Sequence, residues 1–367
     1  MAFASSTRSQ TDMIERRAAR SADMGPSYPV RLPPMDPVTQ GVVGAALAQA
    51  FARREDVRLA TLAGVAGGMA ADLDILIRSA EDPLLTIEYH RHFTHALLFV
   101  PLGGLIVAAA LWPLVRRRVR FPRWLGFATL GYLTAGLLDG CTSYGTRLLW
   151  PFSDVRIAWD LVAVIDPLFT VTLGFLVILA AVRRRPRWAR VACVLGVLYL
   201  AVALVQRERA ASRAWDLASD RGHDVARLVV KPSMGNLLVW RSTYVAGDDV
   251  WVDAIRVGLK TRVYRGARTP LVVPARDLSD VPHGSVLRAD IDRFAHFSDG
   301  WLCWHPDRPD VLGDARYASL PDAISPLWGI MIDRDKPEVH TPFVRTRRVE
   351  AVTLRRFWAM LRGADLP

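Results

Sequence analysis

The feature that most constrains this fold is a series of apolar segments, each long enough to cross a lipid bilayer. A hydrocarbon core of about 30 Å is crossed by roughly 20 helical residues. Because the backbone finds no water inside a bilayer, helices satisfy it internally. Four segments have this length, and they cover residues 96–115, 124–146, 158–182 and 188–206. We therefore expect a multi-pass helical membrane protein.

Two shorter apolar runs precede these segments, at residues 37–51 and 59–71. Both are rich in glycine and alanine, and the charged residues 53–56 separate them. Small side chains let helix backbones approach closely in lipid, so these runs predict short, tightly packed helices. The expected fold class is mainly α, a polytopic helical membrane bundle with about four long plus two short apolar helices.

The composition changes after Gln206, where Asp, Arg, Gly and Pro become frequent. Residues 237–245 and 250–257 are rich in strand-forming side chains and flank Gly247, which predicts a β-hairpin. Further strands are expected at 263–264, 271–273 and 329–332, and a basic amphipathic helix at 347–362. We predict three regions: a disordered arm at 1–35, a membrane domain at 36–206, and a soluble C-terminal α+β domain at 207–367.

Two clusters of arginines, at residues 116–123 and 183–190, each follow a hydrophobic run. Short cytoplasmic loops of membrane proteins carry an excess of Lys and Arg. The net charge of +11 therefore indicates membrane topology, and we expect no specific nucleic-acid binding. If both clusters are cytoplasmic, the opposite helix ends and the C-terminal domain lie on the outer side of the membrane.

Residues 88–95 contain three of the eight histidines, His90, His92 and His95, together with Arg91. Neutral imidazole is the commonest metal ligand in proteins. A guanidinium offers a fork of donors to an oxyanion, so Arg91 is a candidate clamp for a phosphate or carboxylate. Thr94 is a suitable N-cap for a helix starting at His95. The alternative is an interfacial loop that is merely rich in His and Arg.

Five aspartates fall on the same side of the membrane by this topology: Asp36, Asp72, Asp74, Asp139 and Asp166. Asp72 and Asp74 can share an ion only if the preceding helix ends there, and otherwise they are interfacial caps. Asp139 begins a polar, glycine-containing stretch at 139–146, which predicts a cavity at membrane depth. Asp166 precedes Pro167, so capping and metal binding are both open for it.

Five motifs stand in one order along the chain: Asp36-Pro-Val-Thr39, Asp72-Leu-Asp74, His90-Arg91-x-Phe-Thr94-His95, Asp139-Gly-x-Thr142-Ser143 and Ile165-Asp166-Pro167. With them the chain resembles, over about residues 35–245, the YdjM-like, LexA-regulated family of predicted membrane-bound metal-dependent hydrolases. The family is in turn distantly similar to zinc-dependent phospholipases C and single-strand nucleases. The resemblance implies a divalent metal, zinc, and hydrolysis of a phosphoester such as a lipid headgroup.

The resemblance also selects site residues. The implied metal ligands are His90, His95, Asp72, Asp74 and Asp139, with Asp36 and His92 as further candidates. As catalytic residues we predict Asp166, a further ligand or general base, together with Arg91 and Asp139. We expect the bacterial inner membrane as the location, with the site and the C-terminal domain outside the cytoplasm and membrane lipid as the partner.

One position departs from the family pattern, because Gln40 stands where a histidine is usual after Thr39. Whether His92 supplies the missing imidazole is left open by the sequence, as is the oligomeric state. Two alternative functions are non-enzymatic. The first is an ion or proton pathway, since chains of Asp and His in membranes also mark such pathways. The second is an envelope-stability protein in which the metal is structural.

Overall fold

The structure, a computed structural model, describes residues 37–346 and 351–366. The predicted arm at 1–35 and the candidate ligand Asp36 lie outside the described residues. The helices of the first part are α1 (Pro37–Ala50), α2 (Val57–Ala70), α3 (Leu85–Tyr89), α4 (Val100–Val115), α5 (Phe121–Gly140), α6 (Pro167–Arg183) and α7 (Pro186–Asp220). Short 3-10 turns cover Ala71–Leu76, Phe93–His95 and Leu97–Phe99.

Three helical stretches of the described chain are long and apolar enough to span a membrane: Val57–Leu76, Leu97–Val115 and Pro186–Asp220. The expected segment at 158–182 is wrong at its start, because α6 begins only at Pro167. The expected segment at 124–146 ends early, since α5 stops at Gly140. The last helix, α7, has 35 residues and continues well past residue 206.

Glycines bring the first helices into backbone contact, as the small-residue pattern predicts. A Cβ on Gly44 of α1 would lie 2.3 Å from the carbonyl oxygen of Gly64 on α2. A Cβ on Gly131 of α5 would lie 2.6 Å from that same oxygen. These distances are far below van der Waals contact, so only glycine permits the observed approach. The three helices therefore form the tightly packed centre of the membrane part.

The basic residues of the membrane part gather at one end of this bundle. Arg123 donates a hydrogen bond of 2.8 Å to Asp56. Arg58 donates to the carbonyl of Ala181, and Arg190 donates to the carbonyl of Ala50. The turn between α1 and α2 therefore lies at the same end as both arginine clusters.

The C-terminal part contains two four-stranded antiparallel sheets, ordered β1-β2-β3-β4 and β5-β6-β7-β8. Their strands are β1 (Val225–Pro232), β2 (Val239–Ala246), β3 (Asp249–Val257), β4 (Thr261–Pro270), β5 (Leu302–His305), β6 (Arg308–Asp314), β7 (Trp328–Met331) and β8 (Phe343–Arg345). The predicted hairpin is confirmed by the pairing of β2 with β3. Residues 271–273 are not a strand.

Three helices complete this part: α8 (Pro274–Asp277), α9 (Val286–Phe297) and α10 (Ala351–Arg362). The last of these confirms the expected terminal helix over its described residues. The far end of α7 packs against the first sheet, where Ala210 and Ala214 meet Trp240 and Ile255 in one buried cluster. One continuous helix thus joins the membrane part to the sheets.

Candidate functional site

Asp72 and Asp74 are turned inward by the 3-10 turn Ala71–Leu76 that directly follows α2. Both carboxylates are buried, while Leu73 and Leu76 on the same turn are about two-thirds exposed. The apolar side chains face outward and the acids face the bundle. The sequence predicts that Asp72 and Asp74 can share a site only if α2 ends before them, and α2 does end there.

His95 lies between these carboxylates and is almost completely buried. Its Nε2 lies 3.2 Å from an oxygen of Asp72 and 3.2 Å from an oxygen of Asp139. Its Nδ1 lies 3.2 Å from Asp74 on the other side of the ring. Gly136 of α5 allows this arrangement, because a Cβ there would lie 2.2 Å from the backbone oxygen of His95.

The hydrogen bonds around His95 fix where its proton lies. The hydroxyl of Thr94 donates to Asp74 at 2.7 Å, so its oxygen is left to accept from Nδ1 at 3.0 Å. Nδ1 therefore carries a proton, and the neutral ring presents the Nε2 lone pair to Asp72 and Asp139. Three acceptors then converge, which requires either a second proton on His95 or a cation. Burial lowers the pKa of His95, but hydrogen bonds to the carboxylates raise it well above its ordinary value.

His90 is oriented by the same carboxylate that orients His95. Its Nδ1 donates to Asp74 at 2.7 Å, and its buried Nε2 has no hydrogen-bond partner among the described residues. The rings of His90 and His95 lie 6.3 Å apart at their centroids. Metal-binding histidines are usually oriented by a carboxylate that holds one imidazole nitrogen and leaves the other free for the metal. Asp74 is placed to orient the two rings.

Arg91 has a left-handed backbone with φ of 62°, a conformation that is strained for a residue with a side chain. Its amide donates to Asp74 at 2.9 Å. Its guanidinium lies 2.9 Å from Asp139 and donates to the hydroxyl of Thr142 at 3.1 Å. The buried Nη2 has no hydrogen-bond partner among the described residues. Arg91 thus neutralises part of the acidic cluster and keeps one free donor.

Asp139, fully buried at the end of α5, is also held by Gln40. The amide nitrogen of Gln40 donates to one carboxylate oxygen at 2.8 Å, while Arg91 and His95 face the other. The residue that departs from the family pattern therefore lies inside the site. It acts there as a donor to Asp139.

Asp72, His95 and Asp139 are the described group that best fits a metal ion, with one donor atom from each within 4.8 Å of the others. Two carboxylates and one imidazole suit a divalent cation such as zinc, and three protein ligands leave a position for water. Unpaired buried atoms support this fit: one oxygen of Asp72 and the Nε2 of His90 have no hydrogen-bond partner among the described residues.

A second group, Asp82, Asp290 and His340, also has donor atoms close together. Here a cation is already present, because Arg293 donates to Asp82 at 3.0 Å and to Asp290 at 3.1 Å. His340 adds a contact of 3.0 Å to Asp290. This group is an ion-pair network between the C-terminal helix α9 and the chain before α3.

The predicted ligands His90 and Asp74 lie beside the group of Asp72, His95 and Asp139, whereas His92 and Asp166 have other partners. The Nε2 of His92 contacts Arg147. Burial lowers the pKa of His92, and the charge of Arg147 lowers it further. Asp166 caps α6 by accepting from the amide of Phe169 at 3.1 Å, and it accepts from the hydroxyl of Tyr199 at 2.6 Å. The capping alternative for Asp166 is confirmed, and its catalytic role stays a prediction.

The prediction that Thr94 caps a helix is wrong. His92 is the N-cap of the 3-10 turn Phe93–His95, and the long helix α4 begins only at Val100. The hydroxyl of Thr94 is used by Asp74 and His95 instead. The residue chosen as a cap therefore belongs to the site.

The C-terminal part covers the site, and its residues there were missed by the sequence reasoning. A cavity of about 20 Å³, with room for about one water molecule, lies beside His90 and Arg91. Its other walls include Tyr144, Arg156, Phe297 and Trp328. Lys231 donates to the carbonyl of Ser143 at 3.1 Å and to Asp160 at 2.8 Å. No pattern in the sequence marks Phe297 or Trp328 as neighbours of the histidines.

Comparison with known proteins supports a membrane location. Residues 35–210 match the YdjM inner membrane protein family. The chain is also similar to the uncharacterized protein YfhP of Bacillus subtilis (strain 168), with 26% identity over 258 residues that cover 70% of this chain and 73% of the relative. No solved structure matches the chain. The similarity to zinc-dependent phospholipases C and nucleases stays a prediction. With its apolar helices, the region 35–210 of this chain is similar to the YdjM inner membrane protein family.

Proposed function

We propose that this protein is a membrane-bound metal-dependent hydrolase that cleaves a phosphoester, such as one in a lipid headgroup. The observation that carries the proposal is the convergence of the buried carboxylates of Asp72 and Asp139 on the Nε2 of His95, with Asp74 on the other side of the ring and the guanidinium of Arg91 2.9 Å from Asp139. Three buried carboxylates carry more negative charge than the one guanidinium of Arg91 offsets, so the site needs either a protonated His95 or a bound cation, and we assign it the cation. Zinc suits this donor set, since it binds carboxylate oxygen and imidazole nitrogen in catalytic sites with an open position.

A divalent ion bound there would supply an activated water molecule at neutral pH and polarise the ester. The residues of the chain would do the rest. Asp74 holds His95 and His90 in orientation, and the free Nε2 of His90 is available to hold a proton or a ligand. The free Nη2 of Arg91 is available to donate to a phosphoryl oxygen. The covering C-terminal residues keep bulk water away from the reacting group.

We further propose that the site and the C-terminal domain face away from the cytoplasm. The three contacts that tie Arg58, Arg123 and Arg190 to neighbouring helices lie at one end of the bundle. Asp139 ends the helix that starts near Arg123, so the site lies at the opposite end. The positive-inside rule assigns the arginine end to the cytoplasm.

The test compares the wild type with His95→Ala and Asp72→Asn in detergent. We expect the wild type to bind zinc in metal analysis and calorimetry, and to hydrolyse a phosphodiester or phospholipid only with the ion present. Each variant should lose metal affinity by at least about tenfold, because each removes one ligand. Thr61→Ala in α2, distant from the acids, is the matched control and should retain the metal. Zinc binding that is absent in the wild type, or equal in all four proteins, would sink the proposal.

A further inference from the structure

A cleft of about 310 Å³ lies next to the small cavity beside His90 and Arg91. The two spaces share the wall residues Ile87, Arg156 and Phe297, so the cleft leads toward the site. One side comes from the chain around α3, and the other from the C-terminal helix α9. Small-molecule pockets are typically about 300–1,000 Å³. The cleft is therefore sized for a small polar group and not for two acyl chains as well.

The arginines of this cleft differ in how far their charge is neutralised. Arg293, at the α9 side, is paired with Asp82 and Glu88 at 3.0 and 2.8 Å. Arg156, by contrast, donates only to the backbone carbonyls of Tyr144 and Gly145, at 3.1 and 3.3 Å. Among the described residues it has no carboxylate partner. The guanidinium of Arg156 is therefore held in place without being neutralised.

Other arginines near Arg156 add positive charge, while Glu88 and Asp292 also line the cleft. Burial lowers the pKa of Arg156 to about 10, and the nearby charges of Arg91, Arg316 and Arg147 contribute to the shift. Arg147 reaches Asp154 at 3.4 Å, but that carboxylate is 76% exposed and screened by solvent. The guanidinium of Arg156 also stacks 5.0 Å above the ring of Phe297, which fixes its plane. Arg91 and Arg316 are offset by Asp139 and Asp314 at 2.9 and 2.8 Å, so the charge left to favour an anion is that of Arg156 and Arg147.

We propose that Arg156 and Arg147 form an anion-binding subsite that holds the phosphate group of the substrate at the inner end of the cleft. The inference rests on the proposed function for the identity of the substrate, while the anion site itself does not require the metal. The ligand is a phosphate ester, either a soluble one or the headgroup of a lipid. Both sources share the chemistry of a compact phosphate held by guanidinium forks, and the cleft admits that group.

The test measures binding of inorganic phosphate by calorimetry to the full chain in phosphatidylcholine nanodiscs, with a chelator present. We expect the wild type to bind, Arg156→Gln to bind at least about tenfold more weakly, and Arg156→Lys to lie between them. The matched control is Arg268→Gln, which removes an equal charge from β4, where Arg268 is paired with Asp249 at 2.8 Å and lines neither space. The control should bind phosphate like the wild type.

A second arm identifies the source of the phosphate. In nanodiscs that also contain phosphatidic acid, a lipid headgroup that enters the cleft should weaken the binding of inorganic phosphate to the wild type. Unchanged binding assigns the cleft to a soluble ester. In either arm Arg156→Gln must lose the phosphate signal that Arg268→Gln retains. Equal binding by these two variants, or no binding by the wild type, overturns the proposal.

Zinc binding by the same variants separates the two proposals. Arg156→Gln should bind zinc like the wild type, because Arg156 touches none of the metal-type donors, and this also shows that the variant is folded. If the wild type binds phosphate but no zinc, the metal-dependent function fails and the anion subsite stands. If the wild type binds zinc, and Arg156→Gln binds phosphate as well as the wild type does, the subsite fails and the metal centre stands.

Discussion

A single amide, that of Gln40, decides how the central carboxylate is held. Its nitrogen donates to one oxygen of Asp139, and the other oxygen faces Arg91 and His95. A neutral donor at this point adds no charge to a site that already contains three aspartates. Gln40, which departs from the family pattern, therefore donates a hydrogen bond to Asp139 without adding charge.

Replacing Gln40 by Glu should destabilise the protein without metal and increase its response to zinc. The new carboxylate would lie against Asp139, and buried like charges repel strongly unless a cation lies between them. We expect thermal unfolding in chelator to occur at a lower temperature than in the wild type, with most of the loss recovered in zinc. Differential scanning fluorimetry in detergent measures both conditions.

Gln49→Glu is the matched control for this experiment. Gln49 is a fully buried glutamine of the same helix, and it donates to Thr61 and to the carbonyl of Val177, away from the acids. It should be destabilised by its buried charge, but zinc should not restore it. Equal recovery of both variants in zinc would contradict the assignment of the ion to the acidic group.

The residues of the site were largely predictable, but their separate tasks were not. The sequence indicated His95, Asp72 and Asp139 by residue type and topology. It could not distinguish His90 and Asp74, which orient one another, from direct ligands, because that depends on which ring nitrogen faces which oxygen. The expectation for His92 suffers from the same limit, since an arginine 55 residues away along the chain takes its nitrogen.

At the scale of elements, the contact of α1, α2 and α5 depends on glycine. Gly64 is the common point, because an added Cβ on Gly44 of α1 or on Gly131 of α5 would lie 2.3 or 2.6 Å from its carbonyl oxygen. Small residues at helix interfaces in lipid permit this approach, and the dispersion contacts that follow stabilise the bundle. The three helices also carry Gln40, the acidic turn after α2, and Asp139. Their spacing thus sets the width of the site.

Gly64→Ala should destabilise the bundle, because the new Cβ would lie 2.5 Å from the oxygen of Gly44 and 2.7 Å from the Cα of Ala45. We expect a loss of about 1–3 kcal/mol, typical of overpacking, and weaker zinc binding as the helices separate. Gly126→Ala on α5 is the control, since nothing lies within 4 Å of its added Cβ. It should be neutral or stabilising by up to about 1 kcal/mol. A Gly64 variant as stable as the Gly126 variant would refute this account of the packing.

Helix boundaries were the least predictable part of the fold. Hydropathy alone assigned residues 158–166 to a membrane helix, yet they are non-helical. Within them Asp160 accepts a hydrogen bond from Lys231, and Asp166 caps α6. Buried, apolar and extended residues have the same composition as helical ones, and only their long-range partners distinguish them. The hairpin of β2 and β3 was predictable because its turn and its alternation are local signals.

For the whole molecule, the arrangement of charge predicts which side of the membrane each part occupies. We expect alkaline phosphatase fused after Pro367 to be active in cells, since it requires export. The same enzyme inserted in the basic turn after Arg117 should be inactive, since that turn is cytoplasmic by the positive-inside rule. A green fluorescent protein fusion at each point should give the reverse pattern. Fluorescence after Pro367 with inactive phosphatase there would reverse the orientation.

The length of α7 has a consequence for how the site is covered. At 1.5 Å per residue its 35 residues extend for about 52 Å, whereas a bilayer core is only about 30 Å thick. The helix is therefore about 20 Å longer than a bilayer core, and the first sheet packs against its far end. The length of α7 therefore sets the distance between the first sheet and the membrane part of the chain. Because Lys231 of the covering part already donates to the carbonyl of Ser143, removing four residues would shift that part by about 6 Å along the helix axis and break this contact.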